Sequence, residues 1–209
     1  ATPTSTATPT RTATATPPCV VPPQQMIGWW TADNTTNDFS GNGRNGHFFQ
    51  PPGAYTAGVV GSAFSLPGFS DFIEVFNHFS LNPPGNFSLD AWIRTTNTGE
   101  AAIVSKLLNG TSTPLGYYLF VLNGHLGFQL GDGQAPPLSH LSSGPAIADG
   151  SWHHVAASID RASTTGGKLY VDGALVHTFD PTTRPGSIAN AFHLRIGLHY
   201  ISSTAFQGA

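Results

Sequence analysis

From Met26 onward the chain is built of short runs in which apolar and polar residues take turns. MIGWWTA, AFSLP, DFIEVF, NFSLDAWIRT, AAIVSKLL, GYYLFVLN, HLGFQLG, SWHHVAASID, KLYVDGALVHTF and FHLRIGL stand out, separated by Gly, Asn and Pro. A period of two is the signature of a half-buried strand, and no stretch keeps a helical period over ten residues. Asp172-Gly173 and Asn123-Gly124 sit between such runs and predict two-residue hairpins. About ten to fourteen strands linked this way predict an all-β, two-sheet antiparallel jelly-roll sandwich.

Residues 1–24 follow another rule and predict an extended tail or linker ahead of a domain over 25–209. Thr2, Thr4, Thr6, Thr8, Thr10, Thr12, Thr14 and Thr16 occupy alternate positions, while Pro3, Pro9 and Pro17 are all odd. In a β-strand the threonines would line one face. Residues of one parity also aim their N–H and C=O groups at one edge, so the missing proline donors would all fall on a single edge. Thr/Pro tracts also serve as plain or O-glycosylated stalks, and simple repetition creates parity by itself.

Composition narrows the function classes. With 39% hydrophobic and only 9% charged residues, 24 Gly and 17 Pro, the chain suits a turn-rich β protein with a mostly uncharged polar surface. A net charge of −3 and the lack of a basic run argue against nucleic-acid binding. No apolar run approaches the ~18–20 residues of a membrane span. There is no signal peptide in the sequence, which begins at Ala1 and is therefore compatible with an export signal already removed. Cys19 is alone, which excludes an internal disulfide framework and leaves a buried thiol or a bridge to another chain.

GWWTAD, DFSGNGRNG, GSAFSLPGFSDFIEV, FSLDAWIRT, IVSK, GSWHHVAASID, KLYVDGALV and LRIG occur in this order over roughly residues 27–209. In this order they resemble the laminin-G-like jelly roll of the concanavalin A-like superfamily, in its secreted bacterial form. The resemblance implies a further strand after the F-x-G-x segment, which here reads FQGA, so the domain is expected to be short of its last strand. It also implies a structural calcium held by Asp38 of the D-x-S-G-N-G segment, with Asn42 and Asn45 nearby and Asp33 a weaker candidate. An oxygen-rich, glycine-rich loop is what a hard cation requires, but the same residues also form Asx turns that need no ion.

Other candidate chemistry is sparse. Glycoside hydrolysis needs two carboxylates about 5–10 Å apart across the scissile bond. The only glutamates are Glu74 and Glu100, and Asp71 and Glu74 read as a turn cap and an exposed strand position. His153 and His154 are adjacent on a predicted strand, so they point to opposite faces and cannot share one ion without distortion. No G-x-S-x-G elbow is present. Asn34, Asn86 and Asn109 each begin an N-x-[ST] sequon and are candidate glycosylation sites. Trp29 or Trp30, Tyr55, Phe69, Tyr117 or Tyr118, and Tyr200 are candidate sugar-stacking rings. Each adjacent aromatic pair is expected to turn one ring outward.

The expectation is therefore a non-catalytic extracellular or cell-surface protein. Its leading form is a structural or adhesive subunit forming a homo-oligomer or filament, the N-terminal tail of one copy docking on the next by β-augmentation. The alternative is a carbohydrate-binding module tethered by its Thr/Pro linker, with glycans as partners.

Overall fold

The computed structural model describes residues 23–68, 70–108, 113–199 and 204–209. The threonines of the tail, Cys19, Phe69, Asn109 and Tyr200 lie outside the described residues.

Thirteen strands appear among the described residues: β1 (Gly46–Phe48), β2 (Ala54–Ala57), β3 (Ser62–Ser65), β4 (Ile73–Val75), β5 (Phe87–Ile93), β6 (Ala101–Leu108), β7 (Leu115–Leu122), β8 (His125–Asp132), β9 (Leu138–Leu141), β10 (His153–Ile159), β11 (Gly167–Val171), β12 (Ala174–Phe179) and β13 (Leu194–Ile196). Every pairing is antiparallel. One sheet runs β1-β4-β13-β6-β7-β8-β9, a second β12-β11-β10-β5, and β2-β3 form a hairpin apart from both. The two predicted hairpin turns join β7 to β8 and β11 to β12. Asn123 and Gly124 take φ of 53° and 77°, and Asp172 and Gly173 take 50° and 79°, the double left-handed geometry of a tight hairpin. MIGWWTA does not form a strand; among the described residues it contributes one bridge, Trp30 to Asp38.

The main core lies between the two larger sheets. Val155, Ala157, Ile159, Leu169 and Val171 of the smaller sheet meet Leu119, Val121, Leu126, Phe128 and Leu130 of the larger. Rings of Phe87 and Phe179 approach Phe128 at 6.4 and 5.9 Å.

Alternation fails where the larger sheet is covered on both faces. Tyr117 and Tyr118 are both buried, so the expected outward ring does not exist there. Tyr117 enters the main core and its hydroxyl donates to the Leu81 carbonyl (3.0 Å). Tyr118 joins Ala102, Leu107 and Phe120 in a second cluster on the far face, with the His199 imidazole stacked on it at 4.5 Å. A centre strand buried on both faces reads as an unbroken apolar run, which is how GYYLFV is written. Glu74 departs from expectation for the same reason. It is buried, not exposed, because Arg195 on the neighbouring β13 covers it with two contacts of 2.9 Å while lying over the Phe72 ring.

Lys106 is also buried within this sheet. Its ammonium donates to the carbonyls of Asn190 and Phe192 and to Asn190 Oδ1, while the Asn190 amide donates back to the carbonyls of Lys106 and Leu115. Burial pulls its pKa down to about 8.

The last residues cross between the hairpin and the smaller sheet. Leu66 and Gly208 exchange backbone hydrogen bonds of 2.9 and 3.0 Å, and Arg94 and Ala209 exchange bonds of 2.8 and 3.0 Å. Phe206 is buried just before this crossing.

Candidate functional site

The segment DFSGNGR folds around the carboxylate of Asp38. Oδ1 accepts from the N–H groups of Trp29 and Ser40, both at 2.9 Å, and Oδ2 from the Ser40 hydroxyl (2.9 Å) and the Arg44 N–H (2.8 Å). Asn45 Oδ1 accepts from the Asp38 N–H (2.9 Å), and the Asn42 side-chain amide donates to the Met26 carbonyl (2.7 Å). Partial burial works against the charge of Asp38. The Ser40 hydroxyl and the N–H groups of Trp29, Ser40 and Arg44 outweigh it and hold the carboxyl below its ordinary value.

These contacts also test the loop as a cation site. A hard cation needs converging oxygens, whereas Asp38 faces converging hydrogens that already use its four lone-pair directions. Asp33 serves another purpose, accepting the N–H of Ser62 at the start of β3 (2.9 Å). The arrangement does not fit calcium; it is a hydrogen-bonded hub that fixes the path of the loop.

That path sets one wall of an open cleft of about 390 Å³ lined by residues of 43–47 and 75–78. The Trp30 indole donates to the Arg44 carbonyl (2.8 Å), and Arg44 Nε donates to the Ser80 hydroxyl (3.1 Å), so Arg44 is held on that wall from both sides. The opposite wall is the exit of β4. There Phe76, 64% exposed, stands between His47 (4.8 Å) and His193 (5.2 Å). The His193 ring accepts the Asn77 N–H (2.9 Å), and His78 caps the turn Phe79–Leu81 by accepting the Ser80 N–H (3.2 Å). Phe79 is 80% exposed beside His78. The apolar face of Phe76, flanked by Arg44, Asn45, Asn77, His47 and His78 with no carboxylate in the lining, forms a surface for stacking and hydrogen bonding.

The other anticipated rings contribute less. Trp29 is turned outward while Trp30 is half-buried, as expected of an adjacent pair. Tyr55 packs edge-on against Phe48. Phe76 and Phe79 went unnoticed in the sequence. Their signal is that FNHFS continues past the last in-register residue of DFIEV, placing two phenylalanines among Asn, His and Ser where no core face remains.

His153 and His154 do point apart. His153 bridges Asp172 (2.8 Å) and Asp149 (3.2 Å), while His154 lies 3.3 Å from Asp90 and against Trp92. Glu100 accepts from the Tyr118 hydroxyl (3.2 Å). Of the sequons, Asn34 and Asn86 are exposed, and Asn86 Oδ1 accepts the Arg161 N–H (2.9 Å).

The family model described as the concanavalin A-like lectin/glucanases superfamily matches residues 68–209. The chain belongs to this superfamily. No curated protein matches it. Among solved structures, the binding domain of Paraclostridial Mosquitocidal Protein 1 is similar at TM-score 0.65 and 17% identity, over 81% of this chain and 43% of that one. A structure of botulinum neurotoxin type C, a toxin whose cell entry depends on interaction with two ganglioside molecules, is similar at TM-score 0.62 and 16% identity, over 86% of this chain and 44% of that one. The botulinum neurotoxin serotype D ligand binding domain in complex with N-acetylneuraminic acid gives TM-score 0.60 and 18% identity, over 80% and 41%. The chain spans under half the length of each, and at these identities the likeness establishes the jelly-roll fold alone.

Proposed function

We propose that this chain is a non-catalytic adhesive module of an extracellular surface and that it holds a saccharide in the cleft around Phe76. The observation that carries the reading is the highly exposed Phe76 ring in the cleft, with Phe79 exposed beside it, among polar side chains, Arg44, His78 and His193, that are held in place by their own hydrogen bonds. A sugar offers an apolar C–H face to an aromatic ring and hydroxyls to flanking donors and acceptors, which is the chemistry this cleft presents. The named binding domains of the same fold, one with N-acetylneuraminic acid bound, support a glycan as the ligand class.

Phe76 packs against two histidines and is mostly solvated, so Phe76→Ala should leave the thermal midpoint within about 2 °C, as surface changes do. It should abolish retention on a glycan array or in affinity electrophoresis against extracellular polysaccharides. Retention unchanged in Phe76→Ala would overturn the assignment of the cleft.

A second reading, head-to-tail assembly into an oligomer or filament, is favoured by one feature of the smaller sheet. Phe87, Leu89 and Ala91 face the core on its edge strand but are only half-buried, unlike their register partners Ile159, Ala157 and Val155 at 1, 0 and 0% exposure. Full chain that sediments as a monomer at every concentration would overturn this reading.

A further inference from the structure

Around the Phe76 ring the hydrogen-bond acceptors are occupied and the donors are left over. A backbone N–H can only donate, so an imidazole nitrogen that faces one is the nitrogen without a proton. The Ser80 N–H points at His78 Nδ1 (3.2 Å) and the Asn77 N–H at His193 Nδ1 (2.9 Å). Both neutral rings therefore carry their proton on Nε2. Asn45 engages its Oδ1 with the Asp38 N–H (2.9 Å), leaving its NH₂ group without a partner among the described residues. The carbonyls follow the same rule. Those of Arg44, Gly46 and Asn42 accept from the Trp30 indole (2.8 Å), the Thr36 hydroxyl (2.7 Å) and Arg44 Nη1 (3.1 Å), and that of His78 accepts the Leu81 N–H (3.0 Å).

Arg44 is the strongest of these donors. Its Nε–H goes to Ser80 Oγ and one Nη1–H to the Asn42 carbonyl, while the remaining N–H groups on Nη1 and Nη2 have no partner among the described residues. Those two nitrogens form the edge of the guanidinium fork that suits an anionic pair of oxygens. Arg44 and His78 also stand side by side, because Ser80 Oγ lies 3.1 Å from Arg44 Nε and 3.0 Å from His78 Nδ1. Two carboxylates lie close by and neither is open to a ligand. Asp38 already accepts from Trp29, Ser40 and Arg44. Glu74 is buried, with Arg195 on its Oε2 at 2.9 Å and His47 Nε2 3.8 Å from its Oε1.

We infer that the saccharide of this cleft is acidic, its charge carried by a carboxylate or a sulfate ester seated against the Arg44 guanidinium and the His78 Nε2–H beside Phe76. The inference rests on the saccharide reading above and names its ligand class. Each hydroxyl of a neutral sugar brings a proton, and where the acceptors are occupied that proton has no partner once water is excluded. An acidic group brings acceptor oxygens and no proton, and meets donors fixed from behind by Ser80 and Asn77. The Asn77 amide and the His47 ring, each able to donate and to accept, remain for the hydroxyls of the ligand. A net charge of −3 offers a polyanion no general attraction, so its binding has to come from these local donors.

The test compares matched polymers at one ionic strength by affinity electrophoresis of the full chain: polygalacturonate with its fully methyl-esterified form, and dextran sulfate with dextran. One acidic polymer should bind about tenfold or more tightly than its neutral counterpart, the first pair identifying a carboxylate and the second a sulfate ester. Phe76→Ala should lose this binding, and Arg44→Gln should bring the two members of the pair within about twofold of each other. Lys168→Gln, which removes the same charge from β11 of the smaller sheet, should leave the preference unchanged. His78→Asn still offers an acceptor to the Ser80 N–H but withdraws the Nε2–H, so it should weaken acidic binding about threefold or more while the turn keeps its cap, whatever Arg44→Gln does to its loop. Neutral polymers bound as tightly as acidic ones, in a Phe76-dependent manner, overturn this inference and leave the cleft reading standing. A preference for charge that survives in both Arg44→Gln and His78→Asn overturns it as well. Binding of none of these polymers and of no arrayed glycan overturns both.

Discussion

Replacing Asp38 with Ala separates a hydrogen-bonded hub from a cation site. The substitution strands the N–H groups of Trp29, Ser40 and Arg44 and the Ser40 hydroxyl, all now within 2.9 Å of a carboxylate oxygen. Hydrogen bonds to a charged acceptor contribute about 1.5–3 kcal/mol each when buried, but this loop is part-exposed and water replaces much of what is lost. A total near 3 kcal/mol is reasonable, and for a chain of this size that lowers the thermal midpoint by about 6–12 °C. Asp38→Asn keeps one oxygen but points an NH₂ at the Arg44 N–H, donor against donor, and should fall between. The sign of the pH dependence follows from the lowered pKa. The ionised carboxylate stabilises the fold above the unfolded value near 4 and that contribution fades as pH falls through the lower folded value, so wild type and Asp38→Ala should converge in strong acid. Differential scanning calorimetry of each protein, with 1 mM calcium or with EDTA, is the assay. The midpoint of wild type should not respond to either. A calcium-dependent rise of several degrees, abolished in Asp38→Ala, would refute the hub and restore the cation.

Two further changes probe the larger sheet. Lys106 titrates near 8 in the fold against 10.5 when unfolded, so the unfolded chain binds the proton more tightly and stability should rise with pH between 8 and 10, by about 1–3 kcal/mol. Urea denaturation at both ends of that window checks it, and Lys106→Met should remove the slope while losing about 2–4 kcal/mol at pH 7 by stranding the Asn190 and Phe192 carbonyls. Gly116 has φ of 124°, and a Cβ there would lie 1.9 Å from the Lys106 carbonyl oxygen, whereas a Cβ on Gly173, at φ of 79°, meets nothing within 4 Å. Gly116→Ala should therefore cost about 3 kcal/mol or more and Gly173→Ala only about 1 kcal/mol, compared in the same denaturation series.

The two-sheet fold was readable because alternation and hairpin chemistry are local. Each of Asn123-Gly124 and Asp172-Gly173 carries its own turn geometry, and Val155, Ala157 and Ile159 announce one wet and one dry face without reference to any neighbour. What escaped was everything decided by a second layer. Tyr118 and Glu74 occupy positions that alternation assigns to solvent, and they are buried only because His199 and Arg195, some 80 and 121 residues later in the chain, return to cover them. No pattern within a strand reports on a partner so distant. Asp38 shows the converse. Its importance to the loop was legible, but oxygen-rich composition alone does not say whether hydrogens or a cation will satisfy the carboxylate, since both want the same acceptor.

The cleft escaped for a related reason. A core-seeking residue type such as Phe becomes informative only once the core faces are known to be full. Phe76 follows directly on Val75, the last residue of β4 and itself buried, so the strand has already ended when the second ring arrives. His47 and His193 come from β1 and from the approach to β13, the two neighbours of β4, and they reach Phe76 because the sheet order β1-β4-β13 sets them on either side of it. The ring is thus exposed by the length of its own strand and flanked by the order of the sheet. This is why altering the ring should change binding and leave the fold intact.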